Sequence, residues 1–292
     1  MLDHCAGHPA REGKDLAEKS ILITGCSSGI GLASAELLRA NGWRVFASCR
    51  KEEDCETLRE KGFDSPRIDY ADTDSIKSGF AATMDATGGT LDALFNNGAY
   101  AIPGPVEDLP TDALRAIFEA NFFGWHELTL HALPIMRAQG HGCIVQCSSV
   151  LGLVTSPWRG AYNASKFALE GLTDTLRIEL RDTDIKVVLI EPGPIRTKFR
   201  ENAVKHFEKW IDWENSPRAD QYRESLLDKL YKGSSSATFE LEADAVGQKL
   251  LKALTASNPS PRYFVTTPTY IMAILKRILP TRALDSVLSK GG

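Results

Sequence analysis

Tyr162-Asn163-Ala164-Ser165-Lys166 sets a phenol and an ammonium one helical turn apart, on one face of a helix. A phenol titrates near about 10 and is a poor base at neutral pH. An ammonium about 4 Å away, at an effective dielectric of about 20, contributes about 4 kcal/mol, or roughly three pKa units. That would bring the phenol towards working pH, where general acid–base catalysis is most effective. Ser149, in Cys147-Ser148-Ser149-Val150, follows a β-rich run and can donate its hydroxyl to a carbonyl oxygen while Tyr162 supplies the proton. Ser148 competes for that role. Taken alone, a Tyr and a Lys at this spacing also describe an ordinary exposed helical pair.

A second stretch, Ile21 to Ala33 (ILITGCSSGIGLA), admits two chemistries. Gly25-Cys26-Ser27-Ser28-Gly29 fits G-x-S-x-G, the nucleophile elbow of serine hydrolases. Gly25, Gly29 and Gly31 also fit a loop that lets a dinucleotide's phosphates approach the backbone, with Ser27 and Ser28 as further donors. A hydrolase using Ser27 needs an acid and then a histidine after late strands. Of the histidines that follow, only His206 lies beyond most of the expected sheet, and it sits in an irregular segment. The phosphate reading gains from Val45-Phe46-Ala47-Ser48-Cys49-Arg50. Position 49 is not acidic and Arg50 follows at once. A carboxylate there would repel a 2′-phosphate, whereas a guanidinium can bind it bidentately. NADP(H) is therefore favoured, with NAD(H) left open.

These residues need a scaffold, and the chain's hydrophobic rhythm describes one. Strands are predicted at Ser20–Thr24, Arg44–Ser48, Arg67–Tyr70, Ala93–Phe95, Cys143–Cys147, Lys186–Ile190 and Tyr263–Thr266. Helical periodicity fills Gly29–Asn41, Glu52–Lys61, Asp74–Thr87, Thr111–Arg137, Ala161–Arg181 and Glu242–Ala256. Continuously apolar strands such as Val187-Val188-Leu189-Ile190 imply burial on both faces, hence a parallel, doubly wound α/β sheet. Residues 1–19 read as a polar leader and 20–270 as one domain. Residues 194–240 form an insertion placed where it could cover a substrate, and 271–292 an amphipathic tail.

At this point the chain resembles the short-chain dehydrogenase/reductase family. The resemblance rests on Thr24-Gly25-x-x-x-Gly29-Ile30-Gly31, Asn121, Ser149, Tyr162-x-x-x-Lys166 and Pro192-Gly193, in order, over about residues 20–270. It implies a seven-stranded Rossmann sheet in the order 3-2-1-4-5-6-7 and hydride transfer between a nicotinamide and a carbonyl or alcohol carbon. It implies that Tyr162 is the acid/base and that Lys166 lowers its pKa and holds the ribose. Ser149 would orient the carbonyl and Asn121 support a water-mediated proton relay. Asp69 would contact the adenine, and Pro192, Gly193, Ile195 and Thr197 would flank the nicotinamide. One turn departs from the family: Asn96-Asn97-Gly98-Ala99 stands where Asn-Asn-Ala-Gly is usual. If its last position requires positive φ, the Cβ of Ala99 costs roughly 1–2 kcal/mol. The text around the second strand and the tail resembles the branch with 17β-hydroxysteroid and retinol dehydrogenases and bacterial long-chain aldehyde reductases. That implies an apolar carbonyl or alcohol as substrate, and a homodimer or tetramer through two long helices. A cofactor-sensing protein of this fold without turnover is the alternative from another class.

Composition agrees with a globular enzyme. The 292 residues are 43% hydrophobic and 25% charged, with a net charge of −4 that gives no basic footprint for nucleic acid. The six cysteines show no paired or zinc-like spacing, so no metal is expected, and they read as reduced thiols of a cytoplasmic protein. No apolar run is long enough to cross a bilayer. The tail alternates Lys276, Arg277 and Arg282 with Ile271, Ile274, Leu275 and Ile278, a pattern able to rest on a membrane surface or to pack against protein.

Overall fold

The computed structural model describes residues 18–232 and 239–289, so all but the last two residues of the predicted leader lie outside the described residues. Six strands build one parallel sheet: β1 (Ser20–Ile23), β2 (Arg44–Ala47), β3 (Ala93–Asn96), β4 (Gly142–Cys147), β5 (Ile185–Glu191) and β6 (Arg262–Phe264). Their order is β2-β1-β3-β4-β5-β6. Ile21 lies beside Val45 on one side and Ala93 on the other, so β1 is the strand at which the chain changes direction across the sheet. β1 and β3 are buried along their whole length, as their unbroken apolar runs demand.

The helices are α1 (Gly29–Ala40), α2 (Glu52–Glu60), α3 (Thr73–Thr87), α4 (Thr111–Phe118), α5 (Gly124–Gln139), α6 (Gly160–Glu179), α7 (Phe199–Trp210), the single turn α8 (Ala219–Gln221), α9 (Asp244–Thr255), α10 (Thr267–Ile278) and α11 (Thr281–Leu288). They cover both faces of the sheet in a Rossmann-like arrangement.

Two elements differ from the sequence expectation. The predicted strand at Arg67–Tyr70 is reduced to isolated bridges, Phe46 with Asp64 and Cys49 with Arg67. The Ala47 N–H donates to Asp64 O at 2.8 Å and the Ile68 N–H to Cys49 O at 2.9 Å. Between them Pro66 has no N–H to offer, and Ser65 spends its hydroxyl on the Ala47 carbonyl at 2.6 Å. The ladder breaks there, and the sheet has six strands instead of seven. The predicted long helix over Thr111–Arg137 is also split. A five-residue π-helical turn, Glu119–Phe123, separates α4 from α5 and carries the fully buried Asn121. Such widened turns are frequent at functional sites.

The core has two parts. The larger surrounds the sheet. The smaller joins Ala101, Ile102 and Ile117 to Tyr162 and to Phe207, Ile211 and Tyr222 of the insertion. The described part of the insertion therefore folds as α7, α8 and two π-helical turns, Tyr222–Leu226 and Asp228–Lys232, and residues 233–238 lie outside the described residues. The predicted tail starts earlier than expected, with α10 beginning at Thr267.

Candidate active site

The carboxyl ends of β1 to β6 share one rim, and the predicted residues gather there: Gly25 after β1, Arg50 after β2, Gly98 after β3, Ser149 after β4, Pro192 after β5. In open α/β sheets ligands bind outside this rim, at the point where strand order reverses. That point here lies between β1 and β3.

Its floor is built for close approach. Gly25 has φ of 71°, and a Cβ on it would come within 2.6 Å of the Gly98 Cα. A Cβ on Gly31 would meet the Gly25 carbonyl oxygen at 2.3 Å. Gly29, with φ of 59°, lies against Thr197, so the glycine loop touches the segment after β5. Ser28 caps α1 yet makes no side-chain capping bond, leaving its hydroxyl and the free N–H groups around Ile30 for another acceptor. This cradle fits a dinucleotide's phosphates. A hydrogen-bond chain stiffens it from below. The Thr24 hydroxyl lies 2.6 Å from the Tyr70 hydroxyl, which donates to Asn96 Oδ1 at 2.6 Å. The Asn97 and Gly98 N–H groups donate to Thr24 Oγ1 at 2.9 and 3.3 Å. Ala99 is not among the residues with positive φ, so the reversed Gly98-Ala99 pair carries no such strain.

The stretch after β3 brings together residues that spacing did not reveal. The rings of Tyr100 and His206 stack with centroids 3.7 Å apart at 11°. Arg50 acts on both rings electrostatically and Asp69 on Tyr100, so β2, the broken third strand, β3 and α7 meet here. Burial, more than the cation, sets the Tyr100 phenol, pushed up to about 12. His206 is pushed down to about 4 by burial, then by Arg50, Lys209 and Lys205. Tyr100 gave no signal in the sequence, because it lies in a loop without period.

The catalytic candidates come together beside β4. Ser149 accepts the Leu151 N–H at 3.1 Å, and its hydroxyl favours the ionised form of the Tyr162 phenol. Lys166 is buried under them, donates to the Cys147 carbonyl at 2.8 Å, and lies 4.2 Å from the centre of the Trp125 ring. Its nitrogen is 5.6 Å from the centre of the Tyr162 ring. The expected lowering of the phenol's pKa by Lys166 is not what the protein shows. Burial pushes Tyr162 well up, Cys147 adds to this, and the opposing influences are the Ser149 hydroxyl and Arg159. Lys166 itself is pushed down to about 8 by burial, against the pull of Cys147 and Glu170. Asn121 donates to the Tyr100 carbonyl at 2.9 Å and to the Ser165 hydroxyl at 3.3 Å, and its own oxygen accepts the Tyr100 N–H at 3.1 Å. Its side chain thus ties the Tyr100 loop to the catalytic helix. Ser148 has a buried hydroxyl without a hydrogen-bond partner.

On the far side, the Val150 N–H donates to the Pro192 carbonyl at 2.8 Å, which joins the Ser149 segment to the Pro192-Gly193 turn. Gly193 packs on Thr266. Ile195 bridges to Leu241 and turns its side chain onto the main core. Phe199, opening α7, meets the Tyr162 ring edge-on at 5.4 Å.

The hydrolase arrangement is absent. Ser27 is exposed and hydrogen-bonds to no histidine among the described residues. His206 stacks on Tyr100, and His141 pairs with Asp92 at 3.1 Å. The five described cysteines are free, and no group of metal-binding side chains occurs among the described residues.

Comparison with known proteins agrees with this geometry. The family model described as short chain dehydrogenase matches residues 19–207. An uncharacterized oxidoreductase of Escherichia coli (strain K12), YbbO, is 41% identical over 271 residues, covering 93% of this chain and 94% of its own. Retinol dehydrogenase 7 of Mus musculus is 32% identical, covering 94% and 88%. A solved short-chain dehydrogenase/reductase from Burkholderia phymatum in complex with NAD superposes with a TM-score of 0.74 at 26% identity, over 93% and 95% of the two chains. The chain belongs to the short-chain dehydrogenase/reductase family of oxidoreductases, near the branch of retinol and 17β-hydroxysteroid dehydrogenases, in a fold that binds a nicotinamide dinucleotide.

Proposed function

We propose that the chain is an NADP(H)-dependent oxidoreductase that interconverts a hydrophobic aldehyde, retinoid or steroid-like ketone and its alcohol. The observation that carries this reading is the gathering of Ser149, Tyr162 and buried Lys166 at the carboxyl end of β4, with Tyr162 inside an apolar cluster. Gly25, Ser27, Ser28, Gly29, Ile30 and Gly31 hold the pyrophosphate of the cofactor. Arg50 takes the 2′-phosphate and Asp69 lines the adenosine end, while buried Asn96 supports the floor from below through Tyr70. Pro192, Gly193 and Thr197 line the nicotinamide end, and Ile195 supports that segment from the core. The bound cofactor supplies or accepts the hydride. Ser149 donates to the carbonyl oxygen and fixes its direction, and the Tyr162 phenol gives that oxygen its proton. A phenol raised by burial keeps its proton at neutral pH, which suits it to act as the acid in reduction. Lys166 places positive charge where the phenolate forms and reaches towards the ribose.

Leu151, Trp158 and the lid residues Phe199, Phe207 and Tyr222 surround Tyr162 with apolar surface, which favours an apolar substrate over a sugar or an acid. Trp158 holds a φ of 64°, rare for a bulky residue and characteristic of strained functional loops. Phe199 packs edge-on against the Tyr162 ring, which sets α7 beside the phenol. The exposed face of α5 and α6 (Phe123, Leu130, Phe167, Leu172, Ile178) suits a homodimer or tetramer. Tyr270, Ile271, Ile274 and Ile278 stand exposed on α10 beside Arg277, which suits peripheral membrane contact in a cytoplasmic setting. No described helix is long and apolar enough to cross a membrane.

The test is loss of nicotinamide absorbance with NADPH or NADH against long-chain aldehydes, retinal and steroid ketones. Turnover with NADPH over NADH is expected. Arg50→Ala should raise the NADPH KM about tenfold or more and leave that for NADH within about twofold, since charge-assisted hydrogen bonds contribute about 1.5–3 kcal/mol. An equal effect on both cofactors would contradict the role of Arg50. Firm NADPH binding with no turnover on any carbonyl would favour the cofactor-sensing alternative.

A further inference from the structure

Arg262, at the start of β6, reaches three carboxylates. Its Nη1 donates to Glu170 and Glu191, and its Nη2 to Asp174 at 2.6 Å. Glu191 is the last residue of β5, fully buried, and leads directly into Pro192-Gly193. Glu170 lies on α6 one turn beyond Lys166 and is buried as well. Gly152, just past Ser149, leaves space for it: a Cβ there would meet Glu170 Cγ at 2.9 Å and Oε1 at 3.0 Å. So Glu170 touches the turn after Ser149 and, through Arg262, the end of β5 that leads into Pro192-Gly193. One oxygen of each glutamate, Glu170 Oε1 and Glu191 Oε2, is buried without a partner. A pair of this kind is not needed for packing alone, since replacing buried ionic groups with apolar ones is often neutral or stabilising.

We propose that Glu170 is a positioning residue for the reaction, clamped by Arg262 against Glu191 so that it holds Lys166, the Ser149 segment and the Pro192-Gly193 turn in one register. The proposal rests on the reading that Tyr162 and Lys166 carry the chemistry. Neighbouring carboxyl groups out of water do not both ionise. Burial, and then the charge of Glu170, push Glu191 up to about 8 against the pull of Arg262, so Glu191 keeps a proton below that pH. Two groups favour the charged form of Lys166, Cys147 first and Glu170 after it, and Glu170 lies one helical turn away on α6. The other groups facing Lys166 are the Cys147 thiol and carbonyl from β4, the Trp125 ring from α5 and the Tyr162 phenol from its own helix. Those facing Glu170 are Arg262 from β6, Glu191 from β5 and the Ser148 hydroxyl beyond Gly152. Glu170 therefore keeps Lys166 cationic to a higher pH than its burial alone would permit.

The test uses tryptophan fluorescence of the cofactor-free protein titrated through the Lys166 transition, since the ammonium lies over Trp125. The transition is identified as the one lost in Lys166→Met, with a wild-type midpoint near 8. Glu170→Gln keeps the shape and an acceptor for Arg262, and should lower that midpoint by about one pH unit, a tenfold loss of proton affinity. Glu191 is not among the groups acting on Lys166, so Glu191→Gln should move the midpoint less than Glu170→Gln does. Glu170→Asp, which keeps the charge, should hold the wild-type midpoint even where stability falls. With NADPH and a carbonyl substrate, the alkaline fall in kcat should move with the fluorescence midpoint. Equal midpoints in wild type and Glu170→Gln, or equal shifts in Glu170→Gln and Glu170→Asp, would overturn the proposal. A normal titration in a protein that turns over no carbonyl would condemn the functional reading and leave this coupling standing.

Discussion

Gly25 and Gly98 face each other across the floor of the cleft, and they tolerate change unequally. A side chain at Gly25 meets a positive φ and the Gly98 backbone at 2.6 Å, whereas one at Gly98 meets nothing nearer than 3.4 Å. Gly25→Ala should therefore cost about 2–4 kcal/mol, from the left-handed conformation plus overpacking. Gly98→Ala, which restores the more usual residue of the family at that place, should stay within about 0.5 kcal/mol. Denaturant unfolding of the two variants decides; equal losses would contradict the geometry. At this scale Ser149, Tyr162 and Lys166 were legible, because a helical turn and a strand end fix where they lie. The partner of the Lys166 nitrogen was not. The Lys166 nitrogen turns to the Cys147 carbonyl, a preference set by β4 that helical spacing does not encode. The Tyr100–His206 stack was illegible for the same reason: its partners come from a loop and an insertion that only the fold brings together.

Strands with continuous apolar runs were placed within a residue or two, since burial on both faces leaves an unmistakable pattern. The broken third strand was not, because its failure depends on Pro66 and on the hydroxyl of Ser65. The π-helical turn at Asn121 was equally hidden, since the helical period runs through it undisturbed. The α7 element carries a pH prediction. His206 is held neutral, pushed down to about 4. In the unfolded chain it binds a proton below about 6.5. Between those values the unfolded state binds more protons, so stability rises with pH from about 4 to 6.5 and is lost on acidification through that window. His206→Phe keeps a ring on Tyr100 and removes the titration. Thermal unfolding followed from pH 7 to 4 should show a shallower acid loss in the variant; parallel curves would mean that His206 is not the titrating group.

In the whole molecule, six strands deliver five loops to one rim, and the insertion closes over them through a second apolar core. In the proposed oligomer, the surface that pairs with another copy is that of α5 and α6. A cavity of about 360 Å³ lies between them, lined by Leu130, Leu133, Leu169, Leu172 and Leu176, away from Tyr162. Leu130→Glu combined with Leu172→Glu should turn a dimer or tetramer into a monomer in sedimentation at micromolar concentration; a wild-type protein that already sediments as a monomer would contradict that interface. Fold class was legible at this scale from the alternation of elements alone, whereas the covering of Tyr162 by α7 was visible only as a segment without strands. The central claim is that one hydroxyl supplies the proton. Tyr162→Phe, assayed with NADPH and the best carbonyl of the panel, should lower kcat by roughly a hundredfold to ten-thousandfold while NADPH binding is unchanged. A Tyr162→Phe enzyme as fast as wild type would contradict the account.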